Sequence, residues 1–98
     1  MIQHMVMFKW KPNASVELQS EARSALDNLA QIAKGLVNYS AGTQSSPEGL
    51  GKGFEFGFVM TFKDAAARDA YLIHPEHKKL VAMLQPLLED VMVLDYQF

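Results

Sequence analysis

The segment from Phe54 to Lys63 sets Phe54, Phe56, Phe58, Met60 and Phe62 on one side of an extended chain, with Glu55, Gly57, Val59, Thr61 and Lys63 on the other. Large apolar side chains at every second position suit a strand pressed against a core, and a helical period of 3.6 would scatter them. Residues 2–9 alternate in the same way: Ile2, His4, Val6 and Phe8 oppose Gln3, Met5, Met7 and Lys9. Residues 89–97 set Val91, Val93 and Asp95 against Met92, Leu94 and Tyr96. Val37 to Gln44, where Tyr39 stands among small and polar neighbours, reads as an edge strand.

Between the strands the period changes. From Val16 to Lys34, Leu18, Ala22, Ala25, Leu26, Leu29, Ile32 and Ala33 recur three and four apart. That spacing predicts an amphipathic helix, with Ser15 as its N-cap and Gly35 as its C′ stop. Asp64 is placed to cap a short helix from Ala65 to about Ile73. The His74-Pro75 pair interrupts it, because a residue before proline is pushed out of the helical region. Pro75 then suits the first position of a renewed helix, which Pro86 ends. Residues 45–53, rich in Ser, Pro and Gly, read as a loop. With the interrupted helical stretch taken as one unit, the order is β-α-β-β-α-β. It predicts a single α+β domain over residues 1–98: a ferredoxin-like sandwich with a four-stranded antiparallel sheet and its helices on one side.

Such a sheet needs polar residues on its uncovered face. Here that face carries Met5, Met7, Val59, Met92 and Leu94. Each such side chain left in water forfeits roughly 1.5–3 kcal/mol of burial. The chain has no further helix to cover them, so a second copy packed sheet to sheet is the simplest cover, and these five residues are the expected homodimer interface.

Composition narrows the chemistry. Nine basic against eleven acidic residues, with no basic stripe, argue against a nucleic-acid or anionic-membrane partner. No apolar run approaches the ~20 residues of a membrane span, and the opening residues lack a leader pattern, so a soluble, cytoplasmic protein is the expectation. Zero cysteines exclude a thiol nucleophile, a disulfide framework and a zinc–thiolate site. Gly49-Leu50-Gly51-Lys52-Gly53 precedes a strand instead of a helix, so it is no phosphate cradle. The histidines His4, His74 and His77 remain, the only side chains that ordinarily titrate near neutrality. His74 and His77 lack the carboxylate pattern of a metal ligand set, and no metal or organic cofactor is expected. Each has a purely structural reading too: His74 as an N-cap, His4 as a core histidine bonded to a backbone carbonyl, and Tyr71 as a packing aromatic.

Three stretches together resemble a known family. They are Ile2-Gln3-His4-Met5-Val6-Met7-Phe8-Lys9, then Tyr71-Leu72-Ile73-His74-Pro75-Glu76-His77 after the strand end Thr61-Phe62, and the closing Val93-Leu94-Asp95-Tyr96. They look like the stress-responsive A/B barrel domain, and the resemblance spans nearly the whole chain. It implies a dimer in which two ferredoxin-like sheets form an α+β barrel. One branch, the plant polyketide cyclases, closes a linear polyketide by intramolecular aldol condensation without metal or organic cofactor. By resemblance to that branch His77 would be the base, Tyr71 its assistant and His4 a polar group of the same pocket. Where the cyclases carry a further pocket histidine in the third strand, this chain has Phe56. Val6, Phe8, Phe56, Phe58, His74, Val91 and Val93 would then contact a small hydrophobic ligand, a carbonyl compound among the options. Two other readings stay open: a structural, stress-related oligomer without activity, and a barrel of the monooxygenase or haem-binding kind.

Overall fold

The computed structural model describes residues 1–98 throughout. Its elements are β1 (Ile2–Trp10), α1 (Val16–Ile32), β2 (Leu36–Thr43), β3 (Phe56–Phe62), α2 (Ala65–Leu72), α3 (Pro75–Leu84) and β4 (Leu88–Gln97). The four strands form one antiparallel sheet in the order β2-β3-β1-β4. The expected ferredoxin-like topology is the one observed, with β2 and β4 at the edges.

All three helices pack on one face of this sheet. Ala22, Leu26 and Leu29 of α1, Ala67 and Tyr71 of α2, and Leu80 and Leu84 of α3 join Ile2, Val6, Phe8, Phe58, Met60 and Phe62 in one core. Phe62, Leu26 and Met60 are its most completely enclosed side chains. The register brings Val6 opposite both Phe58 and Val93, and His4 opposite both Met60 and Asp95. Even-numbered residues of β1 therefore share a face with odd-numbered residues of β4.

The caps explain the helix boundaries. Ser15 Oγ accepts from the Leu18 amide, and Asp64 Oδ1 accepts from the Ala67 amide. Helix α1 ends two residues sooner than its periodicity suggests: Ala33 is the C-cap, and Gly35, at φ 80°, makes the following turn. A Cβ on Gly35 would fall 2.6 Å from the Ala67 Cβ, so only glycine lets β2 start beneath α2. Strand β3 begins at Phe56, two residues after the start its alternation suggests. Gly53, at φ 87°, and the bond from the Phe54 amide to the Gly51 carbonyl hold Phe54 in a turn.

The opposite face carries no helix. Met5 lies beside Val59 on one side and Leu94 on the other, and Met7 lies beside Met92. Leu94 is 53% exposed and Met92 48%. No helix of the chain is long and apolar enough to cross a membrane.

Candidate functional site

Strand β4 reaches beyond the cover that the helices provide. Val93 is 56% exposed although it shares a face with the buried Val6. The space between β4 and α3 is a cleft of about 560 Å³. Its walls are mostly apolar, built from Val6, Phe8 and Phe58 of the sheet, Leu80, Val81 and Leu84 of α3, and Val91 and Val93 of β4. His4, Tyr71 and His77 converge on it.

Each of these three side chains is positioned by a local rule. Strand alternation turns His4 to the helix side, where only 4% of it is exposed. Its Nδ1 lies 2.7 Å from Asp95 Oδ1, and Arg68 donates to the other oxygen of Asp95 at 2.7 Å. The carboxylate is thus held by a cation on one side and fixes the imidazole on the other. With Nδ1 held at Asp95, Nε2 is the ring nitrogen left for the cleft. The expected backbone-carbonyl partner of His4 is in fact this side chain.

Tyr71 lies in the last turn of α2 and is 4% exposed. Its hydroxyl bonds to no protein group, yet no buried side-chain oxygen is left without a partner, so it opens onto the cleft. Burial pushes its phenol well above the ordinary value, and it stays a proton donor across the neutral range. The His77 ring stands edge-on to Tyr71 with centroids 4.7 Å apart, and the His4 and Tyr71 centroids are 5.9 Å apart. Burial lowers the His77 pKa below its ordinary 6.5; a backbone interaction with Leu72 offsets part of this, and the nearby His4 adds to it. At neutral pH His77 is therefore an uncharged imidazole with a basic nitrogen.

Two residues expected at the ligand lie elsewhere. His74 is the N-cap of α3, its Nδ1 accepting from the Glu76 amide at 3.0 Å, and it does not line the cleft. The motif's first histidine faces outward because the cap conformation directs its ring back to the helix end. Phe56 shares the covered face but lies one side-chain pair beyond the cleft, about 7 Å along the strand. There it stacks on Phe8 at 5.7 Å and carries the Arg23 guanidinium over its ring at 5.2 Å. The α3 wall, Leu80, Val81 and Leu84, was readable from sequence as the positions three, four and seven after His77. The roles of Asp95 and Arg68 had a weaker signal: a carboxylate on an apolar strand face demands a cation, but spacing alone does not say which.

A one-sided antiparallel sheet with a titratable cleft at its uncovered edge defines a ferredoxin-like α+β protein. The chain belongs to the stress responsive A/B barrel domain family, whose sequence model matches residues 2–98. It resembles a dimeric ferredoxin-like protein of unknown function from a Jannaschia species, with 30% identity over 99% of this chain and 98% of that one, and a TM-score of 0.88. It is similar to a member of the same family from Mesorhizobium loti, with 26% identity over 99% and 95% of the two chains and a TM-score of 0.81. The hydroxynitrile lyase of Passiflora edulis shares the fold, with 24% identity over 97% and 90% and a TM-score of 0.88. No curated protein matches the sequence.

Proposed function

We propose that the chain acts as a homodimer, joined through the uncovered sheet face, that binds a small hydrophobic carbonyl compound in the cleft and performs cofactor-independent acid–base chemistry on it. The observation that carries this reading is the meeting of His77, Tyr71 and His4 on one apolar cleft. His77 takes a proton from the carbon next to the carbonyl. The electron pair of that C–H bond moves to the carbonyl oxygen, where the Tyr71 hydroxyl donates to the developing enolate. Returning the proton to a different carbon, or joining the enolate to a second carbonyl, gives isomerase- or cyclase-type outcomes. His4, held by Asp95, adds a second polar contact for the ligand. The dimer reading is supported by the contiguous Met5, Met7, Val59, Met92 and Leu94 patch and by the dimeric state of the Jannaschia relative.

Exchange of the α-protons of phenylacetone in deuterium oxide tests the chemistry. The protein should accelerate exchange over buffer by about 100-fold or more, and His77→Ala should abolish the acceleration while retaining its thermal stability. Exchange at the buffer rate, or undiminished exchange in His77→Ala, contradicts the proposal.

A further inference from the structure

The wall of the cleft contains no lysine and no arginine. It contains three carboxylates, those of Asp95, Glu89 and Asp90. Asp95 is neutralised from behind by Arg68, whereas neither Glu89 nor Asp90 takes part in any ion pair. Both are exposed, at the start of β4 where its pairing with β1 shifts register. Asp90 stands opposite Lys9 on the uncovered face and accepts from the Val91 amide, so Glu89 is the free carboxylate of the cleft wall. Inside, the Tyr71 hydroxyl is a buried donor without a protein partner, facing the space a ligand would fill. A neutral donor of this kind suits a neutral acceptor such as a carbonyl oxygen. A carboxylate or phosphate brought here loses its water, meets no lysine or arginine and passes the unpaired Glu89.

We propose that the cleft selects uncharged aldehydes and ketones, and rejects their carboxylate analogues, through Glu89 on its wall and a lining free of lysine and arginine. This rests on the reading of the cleft as a carbonyl-binding site and adds the charge class of its ligand. Keto acids and phosphate-bearing thioesters fall outside that class.

Phenylacetone and phenylpyruvate, which differ by a methyl group in place of a carboxylate, make the test pair. Titrated at neutral pH into the full-length protein and followed by backbone and methyl chemical shifts, phenylacetone should perturb Val91, Val93 and His77. Phenylpyruvate should bind about tenfold more weakly or worse. Because any apolar cavity favours the ketone to some degree, the deciding arm is E89Q, in which the ratio of the two affinities should narrow by about twofold or more. Raising the salt concentration should narrow it in the unmodified protein as well. Phenylpyruvate binding as tightly as phenylacetone, or a ratio unmoved in E89Q, overturns the charge selection and leaves the carbonyl site standing. No shifts with either compound overturn both.

Discussion

Val93 and Leu94 are neighbours in β4, point to opposite faces of the sheet, and are exposed to nearly the same extent, 56% and 53%. They are exposed for different reasons. Leu94 belongs to a face with no helix at all, where Met5, Val59 and Leu94 lie side by side across three strands. Val93 belongs to the covered face, at a point where the helices fall short and leave a cleft. The first face is extended, rich in the adaptable side chain of methionine, and free of histidine, which suits a partner of the same shape. The second concentrates its polar groups, with His4, Tyr71, His77 and the Asp95–Arg68 pair gathered at one edge of a closed core. The proposed assembly and the proposed chemistry thereby fall on opposite sides of one sheet, and the comparison holds only if the two sides respond differently to change.

The largest difference is expected in chemical denaturation. Phe62→Ala opens a cavity in the middle of the covered face and should cost about 3–5 kcal/mol. Leu94→Ala removes a side chain that is half in water within one subunit. Its cost should depend on protein concentration, being small in dilute solution and larger where the dimer is populated. Equal, concentration-independent losses would erase the distinction between the faces.

Asp95→Ala probes the polar edge of the covered face. It leaves the buried His4 Nδ1 without its acceptor and takes one carboxylate from Arg68, which keeps Asp69 at 2.8 Å. A loss of about 1–3 kcal/mol is expected, together with a change in the His4 ring-nitrogen shifts as its tautomer is released. Unchanged nitrogen shifts would mean that Asp95 does not orient His4.

The smallest effect is in the pH dependence. Folding holds His77 below its unfolded value near 6.5, so the unfolded chain binds the proton more readily. The sign is therefore a decline in stability as the pH falls through about 6.5 towards the folded value, with a plateau below it. His77→Gln should flatten that slope. A slope unaffected by the substitution would place the responsible group elsewhere.

Much of this division was readable before any coordinates. The alternation of β1 and β4 put His4 with Val6 and Phe8, and Asp95 with Val91 and Val93, because a period of two allows only two faces. His74-Pro75 marked the break between α2 and α3, since proline restricts the residue before it whatever the tertiary context. Position along a strand was not readable in the same way. Phe56 shares the face of Phe58 yet misses the cleft, because strand register and the reach of α3 decide where the cleft lies. The Arg68–Asp95–His4 contact joins residues from α2, β4 and β1, and no local pattern encodes that meeting.

Sedimentation equilibrium of the unmodified chain at micromolar concentration tests the division of the sheet most directly. The account predicts a particle of twice the 11.0 kDa chain mass, and a single-chain mass for Leu94→Arg with the fold retained. A monomer at that concentration, or a dimer indifferent to an arginine at Leu94, would contradict it.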